Sequence, residues 1–388
     1  MKRSVGQILT THTGRLERPE AITQAMERHP DGRPTDATFA DQLKNAVAEI
    51  VKAQVEAGLD VVNDGEFGKL SWNTYLNGRL AGHELVSVSQ FGPALRNSRD
   101  RQDFAEFYQQ LEQSGAHYYK SPGRAAPAGK RWSCTGPVSY RGHDALKQDL
   151  EFLRSAMAKS GAAEAFIPST SPVRPDMNAY YPTDTDYYAA VGEAMRVEYQ
   201  AIVDAGFIVQ IDDPYLPELW QRQPASITVS AYRKQAESHV ELVNQAVRGI
   251  PEDRIRYHIC WGSWHGPHVH DLPLRDIADV LLKVRAQGYV IEAANARHEH
   301  EWQVWRDIKL PEGKILIPGV ISHATNVVEH PELIAWRIKN FVSVIPRESI
   351  IAGTDCGLGY RVHSQIAWAK LRALSEGARE ASKSLWSR

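Results

Sequence analysis

Four side chains in this sequence have types and spacing suited to gripping a soft metal ion. His258 and Cys260 lie two apart in Arg254-Ile-Arg-Tyr-His-Ile-Cys-Trp-Gly. The stretch reads as a strand, and strand side chains alternate, so imidazole and thiol face the same way. Glu292 ends the apolar Tyr289-Val-Ile-Glu, where a carboxylate is expensive to bury unless paired or metal-bound. Cys356 closes Ile350-Ile-Ala-Gly-Thr-Asp-Cys-Gly, another strand running into a glycine turn. Two sulfurs, a nitrogen and an oxygen select zinc over magnesium or calcium, and a tetrahedral ion accommodates the mixture. The thiols belong to different strands, so this is no zinc finger, and assembly needs the folded chain. That argues for a catalytic site, with Glu292 expected to yield when a thiol arrives, because catalytic zinc keeps a position open. The competing reading is core cysteines and a satisfied buried histidine, which suits any one of the four alone. All four at strand ends favour the metal, since function gathers at the C-terminal rim of an α/β barrel. Cys134, in Trp132-Ser-Cys-Thr-Gly, has no comparable neighbour and reads as core.

The elements that must carry these residues alternate short apolar runs with longer amphipathic stretches, the pattern of βα units around a parallel sheet. Strands are expected near 7–13, 59–63, 131–135, 207–212, 255–260, 289–293, 314–320 and 350–355. Helices are expected over 38–57, 145–159, 186–205, 230–247, 274–287 and 331–341. The count is that of an α/β fold, a single (β/α)8 TIM barrel over residues 1–388. Ala165-Phe-Ile-Pro-Ser169 resembles a ninth strand and is assigned to an insertion. The barrel is thus expected to carry two insertions, about 82–129 and 143–185, long enough to shape a substrate pocket.

Composition narrows the partners. With 43% hydrophobic and 24% charged residues over 388 positions, the chain is an ordinary globular one that can bury a core. Its 45 basic and 47 acidic residues leave a net charge of -2, which argues against nucleic acid or an anionic membrane as partner. No run reaches the ~20 apolar residues of a membrane span, and the first residues lack a signal-peptide pattern, so a cytoplasmic protein is expected. Three cysteines are too few and too scattered for a disulfide framework.

Taken together, these motifs resemble the C-terminal catalytic barrel of cobalamin-independent methionine synthase. They are still more similar to its short single-barrel relatives, among them epoxyalkane:coenzyme M transferase. The resemblance runs through Thr10-Thr-His-Thr-Gly14, Asp64-Gly-Glu-Phe67, Thr135-Gly-Pro137, Gln210-Ile-Asp-Asp-Pro214, His258-Ile-Cys260, Glu292, Pro318-Gly-Val320 and Asp355-Cys-Gly357. It implies zinc held by His258, Cys260, Glu292 and Cys356, and a small thiol acceptor that reacts as its thiolate. A free thiol has a pKa of about 8.5, so coordination matters to its reactivity. The thiolate attacks a carbon of an alkyl donor, either a methyl-folate-like compound or an epoxide. His323 falls where the family carries its proton-donating histidine. Glu66 and Asp212 match the carboxylates that hold the acceptor's amino group. Where the family has a serine after the first glycine, this chain has Gly14-Arg15. Arg15 therefore either forks onto an anionic group of a different substrate or faces solvent. His12 of the first motif and Trp264 of the aromatic stretch 260–270, a surface for a flat donor, complete the expected substrate contacts.

Two other classes compete. A metal-dependent hydrolase would use the same kind of barrel, but two thiolates blunt the Lewis acidity that an activated water needs, and decarboxylases of the uroporphyrinogen type use no metal. The non-catalytic alternative is a thiol-binding barrel with structural zinc.

Overall fold

The apolar runs form short strands closed into a ring. A computed structural model describes residues 1–29, 33–72, 74–87, 98–114, 130–174, 177–262 and 265–387. The strands are β1 (Leu9–Thr10), β2 (Val61–Val62), β3 (Glu164–Thr170), β4 (Ile208–Asp212), β5 (Ile255–His258), β6 (Gly288–Ile291), β7 (Ile315–Ile321) and β8 (Ile351–Thr354). They make one eight-stranded sheet in the order β1-β8-β7-β6-β5-β4-β3-β2, with each pair parallel. This is the expected (β/α)8 barrel. β1 and β2 close it without a ladder of their own. Asp60 does the stitching: its amide donates to the Thr10 carbonyl at 3.1 Å, and its Oδ2 accepts from the Thr10 amide at 2.8 Å and hydroxyl at 2.9 Å.

Alternation along the strands sorts the core into two layers. Val209, Ile211, Tyr257, Tyr289, Leu316 and Ala352 join the surrounding helices in one large cluster. Leu9, Val290, Ile315, Ile317 and Ile351 form one small cluster, and Val61, Phe166 and Ile208 another; with no helix residue in either, these face the lumen. The lumen side continues two residues at a time into Asp212, His258 and Glu292. Below them Arg256 fills the ring's centre, 3.8 Å over the Phe166 ring, donating to Thr11 Oγ1 at 3.1 Å and the His12 carbonyl at 2.8 Å.

The outer helices include Ala37–Glu56, His143–Ser160, Asp184–Asp204, Val229–Ala246, Pro331–Val342 and Ser364–Trp386. Side chains of Asp36, Thr183 and Thr228 cap three of them, satisfying amides that a helix start leaves unpaired. The expected helix over 274–287 is shorter: Ile277 at φ -135° separates a 3-10 turn, Leu274–Asp276, from Ala278–Leu281.

The insertions move relative to expectation. Residues 131–135 are not a barrel strand: they belong to Lys130–Tyr140, which pairs antiparallel with Leu80–Ser87 and parallel with Met177–Asn178 in a three-stranded sheet. Residues 165–169, assigned to an insertion, are β3 itself. The physical reason is visible in burial. β3 is covered along all but its first residue, as a strand packed on both faces must be, whereas Lys130–Tyr140 alternates with exposed positions. The expected insertion 143–185 therefore shrinks, because helix His143–Ser160 packs on Ala37–Glu56 and leads into β3. Of the expected insertion 82–129, residues 88–97 and 115–129 lie outside the described residues.

A buried ion network ties the small sheet to the barrel helices. Arg79 reaches Asp149 at 2.6 Å and Glu198 at 3.3 Å, Arg33 also pairs with Asp149, and Glu198 accepts from Tyr75 at 2.9 Å, Tyr140 at 2.7 Å and Ser169 at 2.8 Å.

Candidate metal centre

Parity and strand length bring the soft donors together. His258 ends β5, Cys260 follows two residues on, and Cys356 lies two beyond the end of β8. Their ligand atoms fall within 4.8 Å of one another, and all three residues are buried. His258 Nδ1 is hydrogen-bonded to Asp212 Oδ1 at 2.9 Å, while its Nε2 is buried without a partner. A carboxylate on one ring nitrogen with the other left bare is how a metal-binding imidazole is commonly oriented. Burial works against a charged His258, but the bond and charge of Asp212 outweigh it and raise the pKa. Cys260 is held well above the ordinary thiol range by its hydrogen bond with Cys356 and then by burial. Two thiols hydrogen-bonded to each other beside a bare imidazole nitrogen form a donor set that a soft divalent ion fits.

Glu292 sits beside this set rather than within it. Its Oε1 accepts from the Trp261 amide at 2.9 Å and its Oε2 from Asn295 Nδ2 at 2.7 Å. It groups with His323 and Asp355, again within 4.8 Å. Burial, then the charge of Asp355, pushes Glu292 up to about 7. Asp355 accepts from the amides of Ala293 and Ala294 at 2.7 and 2.8 Å, and burial lifts it to about 6. His323 is buried with Nδ1 unpartnered, and burial followed by the charge of Arg361 holds it neutral. His298 stacks on Trp261 at 4.0 Å, pinned by Glu301 at 2.8 Å and Asp271 at 3.1 Å.

The opposite wall comes from the turns after β1 and β2. Glu66 is buried with φ 59°, left-handed backbone that costs a non-glycine residue and tends to persist at functional sites. Gly14 beside it has φ 152°, a backbone conformation that residues with a side chain rarely adopt, and a Cβ there would also stand 2.7 Å from Glu66 Oε1. Arg15 does not face solvent: it is 7% exposed, with Nε 3.6 Å from Glu66 Oε2. Burial pushes Glu66 up to about 7, with Arg15 opposing and Asp212 reinforcing. His12 points elsewhere. Its Nε2 bonds Gln54 at 2.7 Å, its ring packs on Phe166, and burial holds it neutral at about 4. Trp264 lies outside the described residues.

Residues 170–380 match the protein family described as cobalamin-independent synthase, catalytic domain. The chain belongs to that family. Its relatives include a methionine synthase of Sulfolobus acidocaldarius, 21% identical over 95% of this chain and 90% of the relative. Another is 2-hydroxypropyl-CoM lyase of Xanthobacter autotrophicus, 22% identical over 90% of this chain and 88% of the relative. Among solved structures, a B12-independent methionine synthase from Shewanella, in complex with selenomethionine, superposes with a TM-score of 0.72 at 18% identity, covering 98% of this chain and 99% of that one. A second, from Listeria monocytogenes, gives 0.63 at 20% identity, over 98% and 100%. These overlays share the barrel fold.

For this member of the cobalamin-independent synthase family, sequence reasoning assigned no role to Gln210 and Asp355, although both stand in the motifs quoted above, and it did not single out Asn295. Gln210 Nε2 donates to Asp212 Oδ1 at 2.7 Å and holds that carboxylate towards His258. Asn295 bridges Glu292 and Asp355, at 2.7 and 3.2 Å. The signal was available, since Gln210 and Asp212 share strand parity and Asp355 adjoins Cys356. Among the described residues, no helix is long and apolar enough to cross a membrane.

Proposed function

We propose that the chain, residues 1–388 acting as one catalytic unit, is a zinc-dependent transferase that moves a methyl or alkyl group onto a small thiol. The observation that carries this reading is the convergence of His258, Cys260 and Cys356 within 4.8 Å, with His258 Nε2 bare and Nδ1 held by Asp212. His258, Cys260 and Cys356 would hold the ion, with Glu292 beside them as the exchangeable oxygen. Bound zinc supplies the acidity that turns an incoming thiol into its thiolate at neutral pH.

The protein's own residues do the rest. Asp212 and Gln210 fix the imidazole. Glu66 and Arg15 would line the acceptor side, with Arg256 beneath them, while Trp264, outside the described residues, keeps only its sequence-based expectation of contacting a flat donor. Alkyl transfer forms one carbon–sulfur bond, breaks the bond between that carbon and the leaving nitrogen or oxygen, and moves one proton from the thiol to that atom. His323, grouped with Glu292 and Asp355, is assigned to that proton. The relatives' names support a thiol acceptor, and they support both a methyl donor and an epoxide as the electrophile.

The test is direct. Purified protein should hold about one zinc per chain, and its X-ray absorption edge should move towards more sulfur when thiol is added. Mass spectrometry of products from thiols offered with methyl-folate and epoxide donors then names the electrophile. An edge unmoved at saturating thiol would leave a structural ion and refute the transfer.

A further inference from the structure

The acceptor side of the pocket has its charges answered from within the chain. Glu66 faces Arg15 Nε at 3.6 Å, and Arg15 Nη2 donates to the Lys69 carbonyl at 2.9 Å. Asp212, the other carboxylate, is engaged by Gln210 and by His258 Nδ1 at 2.7 and 2.9 Å. An ammonium group entering here would find both acids already partnered.

It would also approach a cationic corner. Arg18, 4% exposed, donates through Nη1 to the same Lys69 carbonyl at 2.7 Å and through Nη2 to the Leu70 carbonyl at 2.6 Å. Two guanidinium groups on one carbonyl oxygen repel each other: burial and then the charge of Arg15 bring Arg18 down to about 10. Arg18 is occupied by these carbonyls and by that of Phe67. Two guanidinium groups nonetheless face the single carboxylate of Glu66, and that surplus of positive charge favours an anion, which Arg15 would grip through parallel hydrogen bonds. The corner also adjoins the metal centre. A Cβ on Gly357, the residue after Cys356, would stand 3.0 Å from Arg15 Cβ, and Gly359 donates its amide to the Arg15 carbonyl at 3.0 Å. The stem of Arg15 therefore packs against the turn that carries the second thiol.

We propose that the acceptor thiol carries an acid group, carboxylate or sulfonate, and no α-amino group, with Arg15 as the residue that sets this choice. The inference rests on the thiol-transfer reading above.

The test uses zinc-loaded protein and calorimetric titration with homocysteine, 4-mercaptobutyrate, 2-mercaptoethanesulfonate and 2-mercaptoethanol. The first two differ only in the amino group. The expected result is that 4-mercaptobutyrate or the sulfonate binds about tenfold or more tightly than homocysteine, and the better of the two names the acid. Arg15→Ser should lose that margin at unchanged zinc content and melting temperature, and Arg15→Lys should keep part of it. Homocysteine binding as tightly as both acidic thiols overturns the inference while leaving thiol transfer standing. A ranking unchanged in a folded Arg15→Ser also overturns it. Should that variant fail to fold, the wild-type ranking decides alone. If no thiol binds, 2-mercaptoethanol included, the thiol-transfer reading falls and takes the inference with it.

Discussion

Two buried polar clusters in this molecule are built on opposite plans. Around Arg79, every charge has its complement: Asp149 and Glu198 are paired with arginines, and Glu198 accepts three further hydroxyl hydrogen bonds. Around His258, buried atoms are left bare, with Nε2 of His258 and Nδ1 of His323 lacking partners. A cluster that satisfies itself holds the fold together. One that leaves donors bare in a dry place, where an unmade hydrogen bond costs about 1–3 kcal/mol, is poised for something not part of the chain. Cluster polarity alone does not separate the two; completeness of the hydrogen bonding does.

That contrast can be broken in several ways. The largest effect on stability should come from Arg79→Ala, which strands Asp149 and Glu198 without their shared cation and should cost about 3–5 kcal/mol in urea unfolding. A loss under about 1 kcal/mol would remove the network from its structural role. Cys356→Ser should do the reverse, abolishing zinc retention after dialysis and all alkyl transfer while the metal-free protein melts close to wild type. Zinc and activity surviving together would take Cys356 out of the site. Asp212→Asn should weaken zinc by about 10–100-fold in chelator competition, because it loosens the imidazole without removing a ligand.

The pH response sharpens the comparison further. Burial alone would raise Asp149 and Glu198, but the arginines, with Lys69 on Glu198, overcome it and hold both below the ordinary carboxylate range. Their folded values lie under the unfolded ones, so their contribution is present above about pH 4 and fades as pH falls through the folded values. The melting temperature should drop along that acid limb, and Arg79→Ala should flatten it. Smallest of all should be Cys134→Ser: this thiol is buried in the small sheet, donating to the Gly136 carbonyl at 3.3 Å, far in sequence from the other two. Zinc content and transfer should stay at wild-type levels.

Strand parity made the His258 and Cys260 pair of the candidate metal centre legible, because two residues apart on a strand means the same face whatever the tertiary context. Glu292 and Cys356 were legible for other reasons, a carboxylate ending an apolar run and a thiol at a strand end before a glycine turn. Parity could not say that Glu292 would turn to Trp261 and Asn295 and join His323 and Asp355, since those bonds come from loops. Nor could it arbitrate between residues 131–135 and 165–169 as the third strand: both are short runs with β-prone residues, and burial on both faces distinguishes them. The Arg79 network was illegible for a related reason. Its members stand on separate elements, where single charged residues look like solvated positions.

The unladdered joint at Thr10 and Asp60 has a mechanical meaning. Arg15 and Glu66 ride on the two strands that meet there, whereas Cys260 and Cys356 rise from strands laddered to both neighbours. The ring is therefore closed at that seam by hydrogen bonds centred on Asp60, whereas strand pairing closes its other seams. The placement of Arg15 and Glu66 thus leans on one aspartate in a way that the placement of the two thiols does not.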